Sequence, residues 1–133
     1  RILLSKDSLD FSFSGLKTSL LYFMDDFTET KSISLSDIIA SYQQAIVDTL
    51  VEKTRRAMNQ TGAKRCIIAG GVAANQCLRN RLNIILPDKD ILFPDFSLCT
   101  DNAAMISYLG QLKFQSNFFK KLDFSVIPNL KLV

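Results

Sequence analysis

The segment Lys64-Arg65-Cys66-Ile67-Ile68-Ala69-Gly70-Gly71-Val72-Ala73-Ala74-Asn75 constrains the fold more than any other stretch. Cys66 to Ala69 is a short apolar run with a β-branched pair, the pattern of a strand buried on both faces of a parallel sheet. Two glycines follow at once, and a helical pattern opens near Ala73. A glycine pair between strand and helix lets a ligand approach the backbone and aims amide N–H groups at it. Asn75 lies in the first helical turn, where its side chain can cap the helix or bond a ligand's hydroxyls. Many such turns are only tight connections, so the rest of the chain has to decide.

Asp10-Phe11-Ser12-Phe13-Ser14 alternates polar and aromatic residues, which predicts a short edge strand. Gly15 ends it, and Leu16, Leu20, Leu21 and Met24 recur at helical spacing to about Phe27. Thr28 to Ser34 reads as a loop. A long helix is expected from about Leu35 to Asn59, opened by Ser34 with Asp37 in capping-box spacing and stopped by Thr61-Gly62. Its buried stripe reads Leu35, Ile38, Ile39, Tyr42, Ala45, Ile46, Thr49 and Leu50. The strand of residues 65–69 follows, then a helix from Ala73 to about Ile85, closed by Pro87. Asp90-Ile91-Leu92-Phe93 is a second strand ending at Pro94. A last helix runs from about Asp101 to Phe114, with Ala104, Met105, Tyr108, Leu109 and Leu112 facing inward and Thr100 or Asp101 as its cap.

Short strands alternating with helices imply an α/β fold with a mainly parallel sheet, flanking helices and right-handed crossovers. Ligands of such sheets collect at the carboxyl ends of the strands. Gly70-Gly71 and Thr100-Asp101-Asn102 each follow a strand and precede a helix, so both loops are expected on one rim. Asp101 there is either part of a helix start or a hard oxygen ligand for a metal. One carboxylate does not make a metal site.

The 133 residues are 47% hydrophobic, with ten Phe, enough for one packed domain. The apolar runs are too short to span a bilayer, and Ser5-Lys6-Asp7 interrupts the start where a secretory signal would need an apolar core. There is no histidine. That excludes a Cys–His nucleophile pair, a Cys–Cys–His–His zinc site, an HExxH protease and a Ser–His–Asp triad within these residues. Three cysteines, an odd number without CxxC spacing, read as reduced thiols of a cytosolic protein, with Cys66 packed in the core. Phe11 to Thr18 lacks the GxxxxGK[ST] spacing of a phosphate loop, which leaves Lys17 a surface lysine. Net charge is only +3, but Lys53, Arg55, Arg56, Lys64, Arg65, Arg79 and Arg81 form a basic cluster. Such a cluster is either a solvated helix face or a surface for tRNA or another polyanion.

Asp10-Phe11-Ser12-Phe13-Ser14-Gly15-Leu16-Lys17-Thr18, Ala69-Gly70-Gly71-Val72-Ala73-Ala74-Asn75 and Cys99-Thr100-Asp101-Asn102-Ala103-Ala104-Met105 resemble, in order and spacing, motifs of the bacterial TsaD (Gcp) family. The helix around Ser41-Tyr42-Gln43-Gln44 and the Gln60-Thr61-Gly62 turn are similar too. Together these run from about Leu9 to Gln111. Members are tRNA N6-adenosine threonylcarbamoyltransferases, formerly labelled O-sialoglycoprotein endopeptidases.

The resemblance implies an actin-like ATPase (ASKHA) fold, of which residues 1–133 are a C-terminal lobe portion, the N-terminal lobe being absent from this chain. It implies transfer of the threonylcarbamoyl group from threonylcarbamoyl-adenylate to N6 of adenosine 37 in tRNAs reading ANN codons. A divalent metal, iron by family, would take Asp101 as one ligand and two histidines of an HxxxH motif in the missing half. Asn75, Gly70 and Gly71 match positions that contact or shape the site for threonylcarbamoyl-adenylate or ATP. TsaB-like paralogue and TsaE-like ATPase subunits are the implied partners besides tRNA, with no membrane and a cytoplasmic location. Gln76 and Cys77 depart from the family's basic or small residues, which touches the tRNA-facing side of that helix. The alternative is a nucleotide-binding regulatory paralogue without transferase activity; the intact Cys99-Thr100-Asp101-Asn102 argues against it.

Overall fold

A computed structural model describes residues 8–28, 33–118 and 125. Its elements in chain order are α1 (Phe13–Asp25), α2 (Leu35–Thr61), β1 (Arg65–Ile67), α3 (Gln76–Ile85), β2 (Asp90–Leu92) and α4 (Ala103–Gln115). Single 3-10 turns, Gly71–Ala74 and Phe96–Leu98, precede α3 and α4. The loop expected at Thr28 to Ser34 lies partly outside the described residues.

α2 starts where its sequence says it should. The Ser34 hydroxyl accepts from the Asp37 amide at 3.3 Å, and the Asp37 carboxylate accepts from the Ser34 amide at 2.9 Å. These reciprocal bonds satisfy amides that a helix start leaves unpaired and lower the Asp37 pKa. Gly62 ends the helix at φ +68°, a left-handed conformation that glycine adopts without cost.

β1 and β2 pair in parallel, with Arg65 opposite Asp90, Cys66 opposite Ile91 and Ile67 opposite Leu92. An Arg65–Asp90 ion pair of 2.6 Å marks the register at the surface. The period of two then sorts the side chains. Cys66, Ile68, Ile91 and Phe93 pack toward Val47, Val51 and Met58 of α2 and toward Leu78, Leu82 and Leu86. This cluster is the main core. The expectation that the strand is buried on both faces fails on Ile67, which is 69% exposed, because among the described residues helices cover only one side of the two-stranded sheet. Burial pushes the Cys66 thiol above its ordinary pKa, and all three cysteines are free.

The edge strand expected at residues 10–14 is absent; α1 begins at Phe13 instead. A strand needs a neighbour for its amides, and none lies beside this segment among the described residues. The Phe–Ser alternation instead brings Phe11 and Phe13 into a parallel stack at 5.6 Å. α2 buries two sides rather than one stripe. Ile38 faces α1, while Val47, Val51 and Met58 face α3, and Leu35 and Ile39 stay exposed. The inner stripe expected of α4 is not covered: Met105, Tyr108, Leu109 and Leu112 are all exposed. An apolar stripe requires a second surface, and no described element lies over this one.

The basic cluster is largely tied down. Glu52 accepts from Arg55 at 2.9 Å and from Arg56 at 2.6 Å, and Arg81 lies 3.8 Å from Asp48. Lys53, only 2% exposed, donates to the Ser8 carbonyl and pins the segment before α1. Hydrogen bonds from Arg55 first and Arg56 second hold the Glu52 carboxyl down to about 2 from its ordinary 4.5. A carboxyl lowered by folding stabilises the fold above its unfolded pKa, and the contribution is lost as pH falls through the folded value. Stability should therefore drop from pH 4.5 toward 2, and Glu52→Gln should flatten that limb, as read by urea denaturation across the window. The effect should be small, because the pair is partly exposed.

Candidate functional site

Parallel pairing sends β1 and β2 out of the same edge of the sheet. The Gly70–Asn75 turn leaves β1 there, and the Pro94–Asn102 segment leaves β2 beside it. The two loops singled out from sequence therefore converge on one rim, as expected.

Gly70 carries the turn. Its φ of +92° and ψ of 174° belong to a region essentially reserved for glycine. A Cβ built on Gly70 or Gly71 would meet nothing within 4 Å, so the approach to this backbone is open. The chain then makes one 3-10 turn, not the start of the helix, which begins three residues later than its pattern suggested. Asn75 is the N-cap of α3: its Oδ1 accepts from the Leu78 amide at 3.0 Å. Its Nδ2 donates to Gln43 Oε1 of α2 at 3.4 Å, a long bond that a better acceptor could replace.

At the second loop, the cap of α4 is Asn102, not Thr100 or Asp101. Asn102 Oδ1 accepts from the Met105 amide at 3.0 Å, and its Nδ2 donates to the Thr100 carbonyl at 2.9 Å. Asn ranks with Asp as a capping residue, and that preference was the signal available in the sequence. With the cap assigned to Asn102, Asp101 is left exposed, and no hydrogen bond or ion pair among the described residues engages its carboxylate. Among the described residues no three His, Cys, Asp or Glu side chains converge. The donor set fits one hard oxygen ligand contributed to a metal, not a complete site.

Sequence reasoning placed Arg79 in the basic cluster. It turns inward instead. Its Nε donates to the Ala73 carbonyl at 2.6 Å and its Nη2 to the Pro94 carbonyl at 2.7 Å. Nη2 also reaches Cys99 Sγ at 3.3 Å, and the guanidinium lies 4.1 Å from the Phe96 ring centroid and 4.9 Å from that of Phe93. Cys99, 3% exposed, is enclosed rather than poised as a nucleophile. Lys17 is exposed, as expected. Elsewhere, a cavity of about 490 Å³ between α1 and α2 is walled mainly by apolar residues such as Leu16, Phe23, Ile38 and Tyr42. Its one acid, Asp37, is occupied in the α2 cap. No described helix is long and apolar enough to cross a membrane.

The family model "TsaD: tRNA N6-adenosine threonylcarbamoyltransferase" matches residues 2–108. Proteins named tRNA N6-adenosine threonylcarbamoyltransferase align along the chain. The one from Kosmotoga olearia is 44% identical over 135 residues, covering 100% of this chain and 40% of its own length. That from Listeria innocua is 42% identical over 137 residues, covering 99% and 40%. That from Streptococcus mutans is 38% identical over 131 residues, covering 98% and 39%. The chain thus spans about two fifths of the curated relatives it matches. The Gly-Gly turn, the Asn75 cap and the exposed Asp101 all fall inside the matched region, and the chain belongs to the TsaD family of tRNA N6-adenosine threonylcarbamoyltransferases.

Proposed function

We propose that this chain is the C-terminal part of a tRNA-modifying enzyme of actin-like ATPase fold. The complete protein transfers a threonylcarbamoyl group from threonylcarbamoyl-adenylate to N6 of an adenosine in tRNA. One observation carries the reading for these residues: parallel pairing brings the open Gly70-Gly71 turn and the exposed Asp101 to the same rim.

Each residue has a task the geometry allows. Gly70 and Gly71 leave room for the adenylate against the backbone, where a side chain would intrude. Asn75 offers its Nδ2 to a ligand hydroxyl by exchanging the long bond to Gln43, while Oδ1 keeps the helix capped. Asp101 would supply one oxygen to a divalent metal, iron by family, whose histidine ligands the resemblance places outside this chain. When bound, that metal would polarise the donor's carbonyl. ATP is an alternative occupant of the nucleotide site, and TsaB-like and TsaE-like subunits are the proposed partners.

Two measurements test this. The complete protein, given threonylcarbamoyl-adenylate and tRNA, should yield threonylcarbamoyl-adenosine on nucleoside analysis; a nucleotide-binding paralogue would yield none. Asn75→Ala in that protein should weaken adenylate binding by about 1–3 kcal/mol, the typical cost of an unpaired polar partner. Unchanged affinity in calorimetry would leave Asn75 a helix cap only.

A further inference from the structure

We infer that Arg79 is a positioning residue: its guanidinium fixes the Gly70–Asn75 turn and the Pro94–Asp101 segment relative to each other, so that both act on one bound donor. The inference rests on the site proposed above.

The planar fork of Arg79 spans two segments with no ladder hydrogen bonds between them. Nε holds the carbonyl of Ala73 in the first turn, and Nη2 holds the carbonyl of Pro94 in the second. The Phe93 and Phe96 rings fix the plane of the guanidinium, and the contact with Cys99 carries the grip to within two residues of Asp101. The base of the side chain is itself anchored, since the Arg79 amide donates to the Asn75 carbonyl at 3.1 Å. None of these acceptors is a carboxylate, so an exposed ion pair does not account for the arrangement. Lysine could not replace it, because a single ammonium on a flexible stem lacks the rigid fork that meets both carbonyls at once. Catalytic geometry is sensitive to such ties: a misplacement of about 1 Å costs on the order of 100-fold in rate.

The test uses the complete enzyme with Arg79→Lys, and with Phe96→Ala as a milder variant at an exposed ring. Positioning predicts a kcat lower by roughly 100-fold for Arg79→Lys at saturating donor and tRNA, with KM for tRNA unchanged. Phe96→Ala should fall in the same direction by less. Amide hydrogen exchange should accelerate in residues 70–75 and 94–101 while α2 and the body of α3 stay protected. Faster exchange with wild-type kcat per folded molecule would reduce Arg79 to a structural staple and overturn the proposal. Unchanged exchange in both loops would overturn it too. If Asp101→Ala and Asn75→Ala leave transfer and adenylate binding intact while Arg79→Lys still loosens both loops, the site itself is wrong and the tie is real. If Arg79→Lys fails to fold, the kcat and exchange of Phe96→Ala decide.

Discussion

Asp101→Ala in the complete enzyme should leave the fold intact and reduce threonylcarbamoyl transfer by more than about 100-fold, since even residues that merely support metal ligands cost 10–100-fold when removed. The fold should survive because Asn102, not Asp101, caps α4 and because the Asp101 side chain is exposed. Under the proposed assignment transfer should fail, because the Asp101 carboxylate would be one ligand of the metal and would add charge to it. Thermal unfolding, metal content and nucleoside analysis of the product tRNA would separate these claims. A fully active Asp101→Ala enzyme would remove the residue from the site. The 133-residue chain by itself should hold no stoichiometric metal and modify no tRNA, because a stable site needs at least three converging ligands and the described residues offer no such group. A tightly bound ion in the isolated chain would show the ligand assignment is wrong.

Leu82→Ala should cost about 3–5 kcal/mol, the upper range for a truncated core leucine. Leu82 is 0% exposed and sits where α3 meets α2, among Val47, Val51, Met58, Leu78 and Leu86. The shell around it is made of two helices and one sheet face that cannot close inward independently, so the cavity should persist. Against a typical total of about 5–15 kcal/mol, that loss removes a large share of the stability. Urea denaturation would read it as a lowered midpoint, and Leu109→Ala on exposed α4 should shift the midpoint by far less. Equal shifts would mean that α4 is packed in solution.

What the sequence revealed was local. Ser34 with Asp37 encodes a helix start within four residues, and the Ala69-Gly70-Gly71 turn encodes the end of a strand. The helix start stands where it was expected, the strand ends at Ile67, two residues short of the expected Ala69, and the parallel order followed from the alternation of elements. Whatever depended on neighbours distant in sequence was harder to read. Phe11 and Phe13 have the spacing of a strand but no strand to pair with among the described residues, and the helix takes Phe13. Ile67 has the composition of a doubly buried position, yet among the described residues only one face of its sheet is covered. α4 shows an amphipathic stripe, but periodicity does not say whether anything covers it. Arg79 carried no signal at all, since a charge in a basic cluster reads as surface until its acceptors, Ala73 and Pro94, are seen to flank it.

The two adjacent glycines at the rim are constrained for different physical reasons. Gly70 is constrained by its own dihedral angles, so any replacement harms folding whether or not a ligand is ever bound. Gly71 lies at negative φ with open space where its Cβ would go, so alanine there is compatible with the fold. Loss of Gly70 would be purged in any cell that makes the protein, whereas Gly71 would be held only where the rim must admit a substrate. In a library of variants the first position would track protein abundance and the second would track product.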